Sequence, residues 1–195
     1  MKKDIAQMFK LGAVLAAFAA IACVLLALVN NITAPVIEAK KAEDLKNGLQ
    51  EIFADATDFE AYPGFSKETI NGVTLESIYI AKKGDSVIGA AVQATGPTYD
   101  KATILTGITT ENTIKSIKIL SISDTSGFGQ NATKPEFYTQ FAGKSLSDNF
   151  SAEKDGDIDG LSGATITRRG VANILKISTS KATQALNSVT KGSAE

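Results

Sequence analysis

The sequence contains no histidine, no tryptophan and one cysteine, Cys23, among its 195 residues. These absences exclude a Ser-His-Asp or Cys-His catalytic arrangement, a Cys/His zinc site and a haem ligated by histidine. A single thiol also excludes an internal disulfide and an iron–sulfur cluster held by several cysteines. Any redox chemistry on this chain therefore requires a cofactor that other groups hold.

An excess of charge of one sign is also missing, because 20 Lys and Arg residues oppose 21 Asp and Glu residues. A nucleic-acid-binding chain normally carries a basic surplus, so the net charge of −1 predicts no nucleic-acid partner. The length predicts one folded domain in addition to the N-terminal segment.

The N-terminal part contains a run of 19 residues, 11–29, without a charged or strongly polar side chain. As a helix this run spans about 28 Å, close to the hydrocarbon thickness of a bilayer. We therefore predict a transmembrane helix over residues 11–30. Cations precede the run, at Lys2, Lys3 and Lys10. The positive-inside rule then places residues 1–10 in the cytoplasm and the rest of the chain on the extracytoplasmic (periplasmic) side of the cell inner membrane.

Two cleavable signals are alternatives to a permanent anchor. A secretory signal peptide has a shorter apolar stretch, about 7–15 residues, followed by a small-x-small site. A lipoprotein signal is also compatible with the segment Ala20-Ile21-Ala22-Cys23. A polar tether would follow a lipidated Cys23, whereas residues 24–29 continue the apolar run. An uncleaved single-pass anchor is therefore the favoured interpretation.

Apolar residues recur at helical spacing from 36 to 53, which predicts a juxtamembrane helix within 31–56 that restarts near Ala34, with Pro35 in its first turn. Residues 54–71 are predicted to be a loop. Four strand patterns follow in hairpin series, at 73–80, 87–94, 103–108 and 114–122. In the last one the apolar residues change faces, which indicates a β-bulge near Ile119. The fold class is therefore α+β, an antiparallel sheet flanked by helices, with the exported domain at 57–195.

A short motif, Asp159-Gly160-Leu161-Ser162-Gly163-Ala164-Thr165, precedes a helical stripe of apolar residues that begins at Val171. A helix starting near Thr165 would direct free backbone N–H groups and its dipole at a phosphate, so a threonine hydroxyl there is well placed for a phosphoester. Arg168 and Arg169 would add phosphate contacts if they face the site.

Helix physics alone also permits a structural explanation of this motif. In that alternative Ser162, Thr165 or Thr167 is the N-cap, and Gly160 and Gly163 form a tight turn.

The motif resembles the covalent-flavinylation motif of FMN-binding domains, Asp-Gly-x-(Ser/Thr)-Gly-Ala-Thr, and matches it at every position. With average residue usage, a chance match occurs about once in ten million start positions. The resemblance implies FMN esterified through its phosphate to Thr165, with the neighbouring Thr167 as a minor alternative.

Nearly the whole chain resembles the G subunit of Rnf-type ferredoxin:NAD+ oxidoreductases. The apolar span leaves through Ile32-Thr33-Ala34-Pro35, like the exit segment of that family. The segment 95–99 resembles its Gly-x-Gly-Tyr-type turn, with Thr98 in place of a common glycine. The segment 124–129 resembles its Glu-Thr-Pro-Gly-Leu-Gly loop, with Asp, Ser and Phe substituted. Residues 134–144 continue the similarity.

This resemblance implies an electron-relay subunit that carries covalent FMN in a membrane complex coupling electron transfer between ferredoxin and NAD+ to Na+ or H+ translocation. It implies the other subunits of that complex as partners, and a separate flavin transferase that uses FAD and Mg2+. The chain itself would then have no independent substrate-turnover site. Within the motif, the expected flavin contacts besides Thr165 are Leu161, Ser162, Gly163 and Ala164. Outside the motif they are Tyr99, Thr125, Gly127, Phe128 and Gly129. Asp159 and Gly160 would orient the loop or be recognised by the transferase.

Three other functions remain as alternatives. The C subunit of Na+-translocating NADH:quinone reductases shares the domain and the motif, but is usually longer. A free-standing flavoprotein anchored in the membrane is the second alternative. The third is a non-redox anchor subunit that has lost its flavin.

Overall fold

The computed structural model describes residues 2–145 and 158–192. The stretch 146–157, which the sequence assigns to the flavin domain, lies outside the described residues. The chain divides into two compact units, Met1–Glu43 and Asp44–Glu195. Each unit is considered by itself below.

The first element is a single helix, α1 (Lys2–Ile52), with Pro35 inside it. The expected restart near Ala34 is therefore wrong, because the helix continues through this position. A proline removes one backbone hydrogen bond, here the one to the carbonyl of Asn31, and the remaining ladder is maintained. Close to this point the Thr33 hydroxyl donates to the carbonyl of Val29 at 2.9 Å.

The apolar part of α1 fits a single-pass membrane anchor. Within the described residues, the stretch Gln7–Ile52 contains a segment with a mean hydropathy of 2.8 that is long enough to cross a bilayer. None of that segment is buried in the protein. Large apolar side chains from Met8 to Ile37 are exposed, as expected for a helix whose solvent is lipid.

The second unit is built on a six-stranded sheet in which every pairing is antiparallel. Its strands are β1 (Asp58–Ala61), β2 (Glu68–Ile70), β3 (Val73–Lys83), β4 (Ser86–Pro97), β5 (Lys101–Thr109) and β6 (Ile114–Ile122). The order across the sheet is β1-β3-β4-β5-β6, and β2 pairs with β3 beside β1. The predicted α+β fold with an antiparallel sheet is confirmed.

The register of β5 and β6 contains the expected bulge. Thr103 lies opposite Ser121, and the next residue, Ile104, lies opposite Ile119. Leu120 is therefore the extra residue on β6, one position from the bulge that the sequence predicted. The extra residue shifts the side-chain alternation by one, which explains why the apolar residues of this strand change faces.

The loop predicted over 54–71 is wrong in part, because β1 and β2 lie within it. Both strands are short, and they pair with the two halves of β3 at the edge of the sheet. Most of their residues are exposed or half-buried. Short edge strands bury little apolar surface, so they lack the alternation that identifies a strand in a sequence.

The sheet is covered by a helix on each face. Successive residues of β4 lie on opposite faces of the sheet, since Ala90, Val92 and Ala94 belong to one core cluster and Ala91 belongs to the other. The final helix, α3 (Thr165–Gly192), covers the first face with the stripe that begins at Val171. The second face is covered by Leu49 and Ile52 from the last turns of α1 and by Phe53, which follows the helix.

In the described residues between β6 and α3 there are three short helical turns: Gly129–Thr133, α2 (Pro135–Tyr138) and Thr139–Phe141. Phe137 and Phe141 from these turns are buried in the same core cluster as α3, with their rings 5.5 Å apart, edge to face. The loop after β6 is thereby held close to the start of α3, where the motif lies.

We expect Phe53→Ala to lower the free energy of unfolding by about 3–5 kcal/mol, because Phe53 is fully buried against the sheet. Urea unfolding of the full-length protein in detergent measures this change. The matched control is Phe18→Ala, the same substitution at an exposed position of the first unit. Equal stabilities for the Phe53→Ala variant and the wild type would contradict the assignment of this end of α1 to the second unit.

Candidate functional site

Within residues 2–145 and 158–192, the first backbone N–H groups of α3 have no protein acceptor. Ala164 occupies the N-cap position, because its carbonyl accepts the first helical hydrogen bond, from Arg168 N at 3.0 Å. Alanine has no side-chain acceptor, and among the described residues no side-chain oxygen accepts a hydrogen bond from the N–H groups of residues 165–167. The alternative in which Ser162, Thr165 or Thr167 caps the helix is therefore wrong.

A tight turn delivers the chain into this helix. Ala164 N donates to the carbonyl of Leu161 at 3.0 Å, and Gly163 has φ of +71°. Positive φ at the third position is the requirement of a type II turn, which favours glycine. A Cβ at Gly163 would also lie 2.8 Å from Cδ1 of Phe128, so the turn packs directly against that ring. Both observations explain why the motif has glycine at this position.

A cleft of about 440 Å³ opens at this point, and we call it the Thr165 cleft. Its lining residues come from three segments that are distant in the chain. They are Tyr99, Thr125, Phe128, Gly129, Gly163, Ala164, Thr165, Ile166 and Thr167. The β4–β5 turn, the loop after β6 and the first turn of α3 thus meet at one end of the sheet.

Exposed apolar side chains surround the Thr165 cleft. Tyr99 is 67% exposed, Phe128 54% and Ile166 55%. In the described part of the second unit, these are the large apolar side chains that remain exposed. Apolar side chains that gather around one cleft indicate a binding site for an apolar or aromatic group.

The two threonines of the first helical turn have different surroundings. Thr165 is exposed, and within residues 2–145 and 158–192 its hydroxyl has no hydrogen-bond partner. Thr167 is only 1% exposed, and its hydroxyl donates to Oδ2 of Asp124 at 2.5 Å. Of these two threonines, Thr165 is therefore the one that presents its hydroxyl to the cleft.

Asp124 lies beneath the cleft and accepts four hydrogen bonds, while 2% of its surface is exposed. Besides Thr167, the Thr98 hydroxyl donates to Oδ1 at 2.5 Å. The backbone N–H of Tyr99 donates to Oδ2 at 3.2 Å, and that of Asp100 donates to Oδ1 at 2.9 Å. One carboxylate therefore connects the β4–β5 turn to the start of α3.

These hydrogen bonds also determine the charge state of Asp124. Burial by itself raises the pKa of the carboxyl. The hydrogen bonds from Thr167, Thr98, Asp100 and Tyr99 act in the opposite direction and outweigh burial, so the pKa of Asp124 lies below its ordinary value of 3.8. The carboxylate is therefore charged at neutral pH.

The loop after β6 contains two glycines with different positions. Gly127 has φ of +79° in the turn closed by Phe128 N and the carbonyl of Thr125, and it does not line the cleft. Gly129 lines the cleft, where a Cβ would lie 2.5 Å from Cβ of Asp124 and 2.6 Å from Oγ1 of Thr167. The absence of a side chain at Gly129 is what allows this loop to approach α3.

The first half of the motif lies outside the cleft. Asp159, Gly160 and Ser162 are exposed, and Leu161 packs against the core cluster of α3. Arg168 Nη1 donates to the carbonyl of Ile158 at 3.4 Å. Neither Arg168 nor Arg169 is a lining residue, so the condition for their phosphate contacts, that they face the site, is not met in this structure.

Several residues of the site had no sequence signal that identified them. Ile166 precedes the apolar stripe that begins at Val171, and no pattern in the sequence identifies it as a lining residue. Gln140 accepts a hydrogen bond from Asp159 N at 2.6 Å and so positions the beginning of the motif. Asp124 belonged to a loop with a family resemblance, and its role depends on partners 24 to 43 residues away in the chain.

We expect Asp124→Asn to lower the free energy of unfolding by about 1.5–3 kcal/mol at pH 7, the usual contribution of hydrogen bonds to a charged group. Because the folded-state pKa lies below 3.8, the charge stabilises the fold above that pH, and this contribution disappears as the pH falls through the folded-state pKa. Urea unfolding from pH 7 to pH 3 should therefore show the two proteins converging at the acid end.

The matched control for this prediction is Asp85→Asn, at an exposed turn position. This variant should remain within about 0.5 kcal/mol of the wild type at every pH. A constant difference between wild type and Asp124→Asn across the pH range would contradict a role for the charge.

Comparisons with known proteins match two parts of the chain to protein families. Residues 1–52 match the family described as the RnfG N-terminal region. Residues 99–191 match the family described as the FMN-binding domain, and this range contains every lining residue of the Thr165 cleft.

The curated relatives cover most of the chain. The G subunit of the Na(+)-translocating ferredoxin:NAD(+) oxidoreductase complex of Acetobacterium woodii is 33% identical over 87% of this chain and 89% of its own length. The G subunit of the ion-translocating oxidoreductase complex of Escherichia coli K12 is 31% identical over 86% of this chain and 87% of its own length. The corresponding subunit of Methanosarcina acetivorans is 29% identical over 88% of this chain and 93% of its own length. The chain therefore belongs to the family of G subunits of ion-translocating oxidoreductase complexes.

Proposed function

We propose that this chain is the electron-transfer subunit of an Rnf-type complex and carries FMN esterified through its phosphate to Thr165. The observation that carries this proposal is the exposed Thr165 hydroxyl in a cleft surrounded by Tyr99, Phe128 and Ile166. The match of residues 99–191 to the FMN-binding domain supports FMN as the occupant.

The lining residues fit the parts of FMN. The unpartnered N–H groups at the start of α3 and the helix dipole favour a phosphate beside Thr165. Tyr99, Phe128 and Ile166 offer apolar surface for the isoalloxazine ring, and aromatic side chains stack on such rings. The volume of about 440 Å³ lies in the range of cofactor clefts.

Esterification requires a second enzyme and a flavin donor. The sequence resemblance indicates a flavin transferase that uses FAD with Mg2+. The bond that forms joins Oγ1 of Thr165 to the phosphorus of the FMN half, and the bond that breaks is the P–O bond to the AMP half. AMP leaves and the hydroxyl proton is released, so no electrons are exchanged. A covalent link retains the flavin in a compartment where free FMN would be lost.

In the assembled complex the bound flavin supplies one- and two-electron chemistry, and the chain supplies its position. The chain relays electrons between neighbouring redox subunits during transfer from ferredoxin to NAD+, coupled to translocation of Na+ or H+. The name of the Acetobacterium woodii relative supports this assignment. The relatives' shared designation as G subunits of ion-translocating oxidoreductases supports this complex over an NADH:quinone reductase.

The proposed topology has one membrane span. Residues 1–10 lie in the cytoplasm, residues 11–30 cross the cell inner membrane, and residues 31–56 lead to the flavin domain at 57–195 on the extracytoplasmic side. The lysines before the span support this orientation through the positive-inside rule.

We expect the wild type, co-produced with a flavin transferase and denatured in SDS, to show in-gel flavin fluorescence and the mass of one FMN less water. Thr165→Val should abolish both signals, since the acceptor hydroxyl is lost. Thr165→Ser is the matched control and should keep a flavin, because it retains a hydroxyl at the same position. A fluorescent Thr165→Val protein would place the ester elsewhere, and a dark wild type would favour a non-redox anchor.

The topology predicts where single cysteines are reactive. In a Cys23→Ala background, we expect Asp85→Cys, in an exposed turn of the second unit, to react with a membrane-impermeant maleimide in intact cells. Lys3→Cys should react only after lysis. The reverse pattern would overturn the proposed orientation.

A further inference from the structure

The first turn of α3 carries two threonine hydroxyls, at positions 165 and 167, and both residues border the Thr165 cleft. A transferase that approached this turn would meet two acceptors of identical chemistry. Their surroundings differ, because Thr165 is exposed and Thr167 is 1% exposed. Selection between them therefore needs a structural cause.

Thr167 is enclosed from two sides. Its hydroxyl donates to Oδ2 of Asp124 at 2.5 Å. The backbone of Gly129 covers it so closely that a Cβ there would lie 2.6 Å from Oγ1 of Thr167. A phosphorus atom has no approach to an oxygen that is covered in this way.

Asp124 is itself held in place, so it would not move towards the solvent together with Thr167. Thr98 and the backbone N–H groups of Tyr99 and Asp100 hold its two oxygens from the β4–β5 turn. A carboxylate beside a hydroxyl is also a suitable general base, so the hydrogen bond alone would not exclude reaction at Thr167. The exclusion comes from enclosure, together with repulsion between the buried carboxylate and an approaching phosphate.

We propose that Asp124 is a positioning residue that restricts esterification to Thr165 by holding the Thr167 hydroxyl inside the protein. This inference rests on the proposed flavin site. It assigns acceptor selection to the folded domain, so the transferase need not distinguish the two threonines itself. The reaction is the same at either residue: an Oγ1–P bond forms, the P–O bond to AMP breaks, and AMP and the hydroxyl proton leave.

The test uses the full-length chain co-produced with a flavin transferase. Trypsin releases residues 155–168 as one peptide that contains both threonines, and fragmentation of this peptide in a mass spectrometer assigns the flavin to one of them. The wild type should carry flavin on Thr165. Four further proteins share Thr165→Val: this variant alone, and in combination with Asp124→Asn, Asp124→Ala or Asp124→Glu.

With Thr165→Val alone, Thr167 should remain unmodified because Asp124 still holds it. Combination with Asp124→Ala or Asp124→Asn should raise the flavin on Thr167 about tenfold or more, which corresponds to loss of one hydrogen bond to a charged group. Asp124→Glu retains a carboxylate and should return Thr167 towards the unmodified state. General loosening of the fold would not produce this rescue.

Two results would overturn the inference: flavin on Thr167 in Thr165→Val alone, or no gain on Thr167 when either Asp124→Asn or Asp124→Ala is added to a folded protein. The second result would mean that the transferase itself selects Thr165 over Thr167. Thermal unfolding identifies folded variants, and Asp124→Asn, which nearly preserves size, serves if Asp124→Ala does not fold. Failure of the proposed function is distinct, since the wild type itself would then lack flavin.

Discussion

The buried carboxylate of Asp124 connects the β4–β5 turn to the start of α3 through direct hydrogen bonds. Its donors lie in the β4–β5 turn and in the first turn of α3, 24 to 43 residues away in sequence. A buried charge requires such partners, because an unpaired carboxylate in this position would be strongly destabilising. The four hydrogen bonds thus satisfy this charge at the point where the segments that line the Thr165 cleft meet.

The remaining features of the site follow from the close packing around this carboxylate. Gly129 lets the loop after β6 reach Asp124 and Thr167, and Gly163 turns the motif against Phe128. The sheet behind them is covered on both faces, by α3 and by the end of α1.

In the part of the chain that the structure describes, large exposed apolar side chains occur in two places, and the two have different physical explanations. Along α1 it forms a continuous segment from Met8 to Ile37, consistent with a helix surrounded by lipid. In the described part of the second unit it is limited to Tyr99, Phe128 and Ile166, at one cleft. The first pattern suits an anchor, and the second suits an aromatic ligand.

The sequence by itself determined the features that depend on neighbours close in the chain. These include the apolar segment 11–29, the alternation of the central strands, the bulge near Ile119 and the start of α3 at Thr165, because periods of two and 3.6 residues are visible locally. The motif at 159–165 likewise identified its family. Continuity of α1 through Pro35 was not predicted, because a proline is typical of the first turn of a new helix. The edge strands β1 and β2 were not predicted because their apolar patterns are weak.

Only the tertiary structure decided which threonine is available and which side chains surround it. The motif favours Thr165 over Thr167, but the difference in the exposure of the two hydroxyls arises from Asp124 and Gly129, which approach from another part of the chain. The same holds for the exposure of Tyr99 and Phe128. Burial and hydrogen-bond partnership depend on contacts between distant segments, and no local pattern encodes such contacts.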